Sequence, residues 1–179
     1  MLVTCILWSA AHGRGKRFHR LSRTFVAGAP VAPCPTRVSA MSVKLSSELR
    51  DLIRSGPLAH LTTINEDGSP QVSVIWIGLD GDDVVSGHLG RYLKVRNIER
   101  DPRVVLSFEA PRQPGVVMAE HAVLTATASI EPDDDTWDLL NDLHKVYVDP
   151  AGEFPAPRKP GFVIRYCVDR VGGVGPWAG

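Results

Sequence analysis

Arg91-Tyr92-Leu93-Lys94-Val95-Arg96-Asn97-Ile98-Glu99-Arg100-Asp101-Pro102 follows an apolar, Gly-ended run, Val84-Val85-Ser86-Gly87. The order is that of an anion receptor. A Gly-rich strand exit followed by Arg, Lys and Asn at the start of a short helix aims backbone N–H groups and the positive end of the helix at a phosphate, and the side-chain cations complete the shell. Arg91 and Lys94 are the candidate cations. A solvated basic helix face is the plainer alternative for the same charges. Asp101-Pro102 closes the helix, because the residue before a proline is pushed out of the α region.

Working outward, Ser46 or Ser47 caps an upstream helix that carries Leu45, Leu49, Leu52 and Ile53 on one face, and Gly56-Pro57 stops it. Residues 58–64 and 71–79 are β-rich runs around the polar turn Asn65-Glu66-Asp67-Gly68-Ser69-Pro70, and Asp80-Gly81 leads to a third strand at 84–87. These three strands are expected to form a meander. Downstream, residues 103–109 and 121–130 read as long strands around a loop with Pro111 and Pro114. Trp137, Leu140, Leu143 and Tyr147 share one helical face, and a Pro-rich link precedes a last alternating strand over 162–168. Many strands and few, short helices predict a barrel with helical flanks.

The chain has 179 residues, 44% of them apolar, enough for one sizeable core, and its 20 Lys and Arg balance 20 Asp and Glu. No net field draws it to nucleic acid, and nothing beyond the extreme N-terminus approaches a membrane span in length. Cys5, Cys34 and Cys167 show no CxxC spacing, and Asp133-Asp134-Asp135, placed just before a helical pattern, is expected to cap that helix; no metal is predicted. Residues 1–40 contain no Asp or Glu, scatter six Lys and Arg among Ala, Gly, Pro and Ser, and are expected to be a disordered basic extension of a domain spanning 41–179. A start called too early, with Met41 the true beginning, an organellar presequence and an export signal are the competing explanations.

A short helix, two strands joined by a polar turn and the Lys94-Val95-Arg96-Asn97-Ile98-Glu99-Arg100-Asp101-Pro102 box, with the ending Gly172-Gly173-Val174-Gly175-Pro176-Trp177, resemble the split β-barrel flavin and deazaflavin oxidoreductases. That superfamily includes the pyridoxamine phosphate oxidases, and the closer likeness is to its branch that uses the deazaflavin F420. The resemblance implies a split β-barrel homodimer, cytoplasmic, with two cofactor sites between protomers. It implies Lys94 as the phosphate-binding lysine, with Leu93 beside it, Asn97 ordering the turn and Arg91 reaching the same anion. Val74, Ile75 and Trp76 would edge the tricyclic ring, and Gly87 and His88 would lie near the sugar-like chain. Trp177 would either cover the cofactor or pin the tail.

The implied chemistry is hydride transfer from reduced F420 to a small, flat, conjugated acceptor, for which the protein holds ring and substrate together and excludes water. No catalytic residue is nominated, in keeping with the absence of a GxSxG elbow or an activated Cys with His. Three rivals share the fold: an FMN-dependent oxidoreductase, a carrier that binds cofactor without turnover, and a haem-handling barrel with His121 as the nominee for iron.

Overall fold

The structure, a computed structural model, describes residues 43–178; the basic extension over residues 1–40 lies outside them. Ser46 caps helix α1 (Ser47–Arg54), its hydroxyl accepting from the Leu49 N–H at 3.3 Å, and Leu49, Leu52 and Ile53 turn into the core. Strands β1 (Ala59–Ile64) and β2 (Pro70–Ile75) form one hairpin, β3 (Gly78–Asp80) and β4 (Asp83–His88) a second. Helix α2 (Leu93–Arg100), β5 (Arg103–Glu109), β6 (His121–Asp133), helix α3 (Thr136–Tyr147) and β7 (Gly161–Val174) complete the order.

The seven strands make one antiparallel sheet in the order β2-β1-β5-β6-β7-β4-β3. Laid flat, strands spaced by about 4.8 Å would put β2 and β3 roughly 29 Å apart. Yet only Trp76 and Ile77 separate those two edges in the chain, and three Cα steps span at most about 11 Å. The sheet must therefore curl until its edges meet, which is the split β-barrel expected from the sequence. Leu61, Leu106, Phe108, Leu124, Ile164 and Tyr166 are fully buried, and the alternating burial of β5 and β6 follows the two-residue period of a half-buried strand.

Three expectations are revised. The run 71–79 is two strands rather than one, because the chain corners at Trp76-Ile77. There the Tyr147 hydroxyl from α3 accepts the Ile77 N–H at 3.0 Å, the group a sheet partner would otherwise take, and Trp76 turns onto the Tyr147 ring. The expected meander is thus two hairpins at opposite ends of the sheet order. The last strand runs on past Val168 to Val174, with a bulge that lets Thr125 pair with Arg170 and Ala126 with Val168.

That extension gives the Gly-rich ending a structural reason. Gly173 has φ 110°, and a Cβ there would fall 2.1 Å from the His121 carbonyl oxygen, so only glycine lets β7 lie this close to β6. Trp177 packs on the core and donates from Nε1 to the same carbonyl at 3.0 Å, pinning the tail. Finally, Asp133 ends β6 and its carboxylate accepts the Asp135 N–H at 2.8 Å; Asp135 precedes α3 without a side-chain cap bond. Among the described residues no helix is long and apolar enough to cross a membrane, and no group of His, Cys, Asp and Glu is arranged to hold a metal.

Candidate functional site

The ends of β2 and β4 and the start of α2 open onto a groove of about 270 Å³ lined by Leu58, Val74, Ile75, Trp76, Gly87, His88, Lys94, Leu140 and Phe154. A second hollow, beside Pro111 and Val116, measures about 80 Å³ and is too small for a ring system. Local sequence explains each wall. Among the described residues β2 pairs with β1 alone, so its other edge presents main-chain groups without a strand partner there, and Val74 is more than half exposed on it. Gly87 lets α3 approach, since a Cβ there would stand 3.0 Å from Leu140 Cγ.

Among the described residues Lys94 is the one cation on the groove wall. It occupies the first turn of α2, whose Ncap residue, Tyr92, makes no side-chain cap bond, so the leading N–H groups are left without a capping side chain. Burial pulls the Lys94 pKa below the ordinary lysine value, and its ammonium lies 5.2 Å from the centre of the Tyr92 ring. A half-buried ammonium at an uncapped helix start is chemically suited to an anion. His88 is buried at the neighbouring strand end, its pKa lowered to about 3 by desolvation and then by the Lys94 charge, so the imidazole is neutral at physiological pH.

Trp76 anchors the opposite wall through an aromatic cluster. Its ring stacks on Tyr147 at 5.3 Å and 15°, and meets Phe154 edge-on at 6.0 Å and His144 at 6.2 Å. The Tyr147 hydroxyl lies 2.9 Å from the carbonyls of both Pro57 and Ile77, and burial pushes its pKa up to about 12, so it remains a neutral clamp. The indole is thereby fixed as a rigid side of the groove.

Of the nine residues singled out in the sequence, Val74, Ile75, Trp76, Gly87, His88 and Lys94 meet in this groove. Arg91, Leu93 and Asn97 do not line it. Arg91 is exposed and holds Glu99 through paired guanidinium contacts, two of them at 3.0 Å. Leu93 is exposed on the first turn of α2. Asn97 is buried behind the helix, donating to Thr63 Oγ1 at 3.1 Å and Asn65 Oδ1 at 2.9 Å, which ties α2 to the β1–β2 hairpin. Asn97→Ala is expected to lower the unfolding free energy by about 1–3 kcal/mol, since it removes these two bonds and the one that Asn97 Oδ1 accepts from Arg100 at 3.3 Å; a urea titration measures it, and an unchanged midpoint would refute the tether.

Leu58, Leu140 and Phe154 line the groove without having been anticipated. Leu140 was legible only as core, on the apolar face of α3, and Phe154 sits in the irregular Pro-rich link, where no periodicity exists to read. His121, nominated for iron, lies outside the groove with Nδ1 3.1 Å from the Ala119 carbonyl oxygen.

Comparison with known proteins decides the family. The sequence model of the pyridoxamine 5'-phosphate oxidase family matches residues 45–174. The chain belongs to this family. Among solved structures, it is similar to an F420 reductase at 27% identity, over 69% of this chain and 94% of that one, with a TM-score of 0.58. A heme binding protein from Mycobacterium smegmatis is 25% identical over 78% of this chain and 55% of that one, TM-score 0.54. An FMN-binding protein from Syntrophomonas wolfei is 15% identical over 70% and 83%, TM-score 0.53, a likeness of fold alone. No curated protein matches the chain. As a member of the pyridoxamine 5'-phosphate oxidase family, it has the family's split barrel and flavin-type oxidoreductase ancestry.

Proposed function

We propose that the groove binds the tricyclic ring of F420 and that the protein is an F420-dependent oxidoreductase reducing a small conjugated organic acceptor in the cytoplasm. The observation that carries this reading is Lys94, half-buried on a mostly apolar wall at an uncapped helix start, where a phosphate can dock beside a flat slot. The likeness to an F420 reductase over nearly all of that protein's length supports F420 over FMN. Bound reduced deazaflavin supplies a hydride. The chain's own part is to hold: Lys94 takes the phosphate, Val74 and Ile75 edge the ring, Trp76 limits its tilt, and Leu140 with Phe154 keeps water from one face. Arg91 is proposed to leave Glu99 for the same anion when cofactor is present, and Leu93 and Asn97 to fix the turn that presents Lys94.

We also propose a homodimer as the working form. At about 270 Å³ the groove is slightly smaller than the roughly 300–1,000 Å³ usual for a ligand pocket. Its rim exposes Leu58 and Val74, with Val72 two residues along β2 on the same face, each more than half accessible, and a second copy laid on these residues would both cover them and complete the site.

Parallel calorimetric titrations of purified protein with F420 and with FMN test the reading. The expected result is saturable F420 binding, one per chain, and FMN binding at least tenfold weaker. A yellow preparation that retains FMN and ignores F420 would transfer the assignment to the FMN-dependent alternative.

A further inference from the structure

Behind the groove, three polar side chains form a buried line that leads away from it. The His88 Nε2 lies 2.9 Å from Ser86 Oγ, and Ser86 Oγ lies 2.8 Å from the Tyr166 hydroxyl. All three residues are buried, Ser86 and Tyr166 almost completely. Ser86 and His88 stand two apart on β4, hence on one face, and Tyr166 is on the adjacent strand β7, paired with Val84.

The proton order along this line follows from what each group can do. Among the described residues Tyr166 has one hydrogen-bond partner, Ser86. Were the phenol to accept there, its own proton would be stranded in the core, and an unpaired buried donor is the costlier defect. Tyr166 therefore donates to Ser86. Having accepted that bond, Ser86 turns its own proton to His88, and Nε2 must be the bare nitrogen that receives it. The remaining ring proton is left on Nδ1, which has no partner among the described residues and belongs to a residue lining the groove.

We propose that the Tyr166–Ser86 pair locks His88 as the Nδ1–H tautomer, so that the groove presents a fixed, neutral hydrogen-bond donor to its ligand. With Lys94 and the Trp76 indole N–H, every polar side chain that lines the groove among the described residues is then a donor, and none is an acceptor. Such a wall selects ligands rich in carbonyl or anionic oxygens, as the pyrimidinedione ring of a flavin or deazaflavin is. It also disfavours iron, because a histidine offers a metal its bare nitrogen, and here that nitrogen is engaged by Ser86. The selection of ligand rests on the groove being the cofactor site; the tautomer does not.

Nitrogen-15 NMR of the imidazoles in the full-length protein, with His88→Asn used for assignment, tests the tautomer without any cofactor. The expected spectrum has a protonated Nδ1 and a bare Nε2 at pH 7, with a second, Nε2–H form appearing in Ser86→Ala and in Tyr166→Phe. A protonated Nε2 in the wild type overturns the proposal, whether or not either variant folds. For the ligand, F420 and FMN are titrated into His88→Leu and His88→Asn. His88→Leu is expected to weaken binding of the recognised cofactor about tenfold, and His88→Asn, which keeps an N–H near the Nδ1 position, to restore most of it. Equal loss in both variants, or none in either, overturns the donor role. Lys94→Ala, run in parallel, separates these failures from failure of the groove itself, which would leave its affinity unchanged.

Discussion

Lys94→Ala is expected to weaken cofactor binding by about tenfold to a hundredfold while leaving the urea midpoint close to that of the parent. The size follows from the bond lost: a charge-assisted contact to phosphate in a partly desolvated site is worth about 1.5–3 kcal/mol, roughly twice a neutral hydrogen bond. The insensitivity of stability follows from the free protein, where burial disfavours the ammonium and pulls its pKa down, so that removing it relieves a cost and leaves no salt bridge broken. The pH dependence has a definite sign. Binding needs the protonated amine, hence affinity should fall on the alkaline side, starting below the ordinary lysine range, and the variant should lack that limb. Calorimetry at several pH values reads both effects. Equal affinities for parent and variant would remove the anion pole from the site, and with it the case for a phosphate-bearing cofactor.

The largest effect on stability is expected at Gly173. An alanine there must place its Cβ 2.1 Å from the His121 carbonyl oxygen at φ 110°, so the last strand has to move off β6 or twist out of register. Backbone cannot yield as a flexible side chain would. A loss of about 2–4 kcal/mol is anticipated in urea unfolding, in the upper range for a single substitution. The damage should also reach Trp177, whose indole is bonded to the same carbonyl, and its fluorescence maximum should shift to the red as the ring becomes wet. A parent-like midpoint and unshifted emission would show that the Gly-rich ending is not held as described.

Much of this was legible in the chain because the signals are local. Ser46 ahead of an apolar 3.6-residue pattern, Gly68 in a polar turn and Pro102 after a basic helix each act over a few residues, and the elements stand within a residue or two of where those signals put them. The six groove residues were found through a family resemblance, and the structure adds why they converge: two strand ends and a helix start share one end of the barrel. What escaped was decided at long range. The corner at Trp76-Ile77 depends on the Tyr147 hydroxyl, 70 residues away from Ile77, and nothing in the run 71–79 announces it. Asn97 resembles any helix-surface amide until Thr63 and Asn65 are seen beneath it, and the direction of β7 past Val168 is set by its pairing with β6. Arg91 stands as a candidate cation in the sequence, open to the anion or to water, because the eight-residue separation hides its partner, Glu99, near the end of α2.

The placing of β7 between β6 and β4 has a consequence for how the molecule is made. While the polypeptide emerges from the ribosome, the second hairpin waits for its neighbour in the sheet, since β4 ends at His88 and the strand it pairs with begins only at Gly161. Contacts this distant in sequence are slow to form and leave apolar edges waiting. The histidine-bearing wall is therefore finished only once β7 has emerged and paired with β4, and cofactor capture is expected to wait for that pairing.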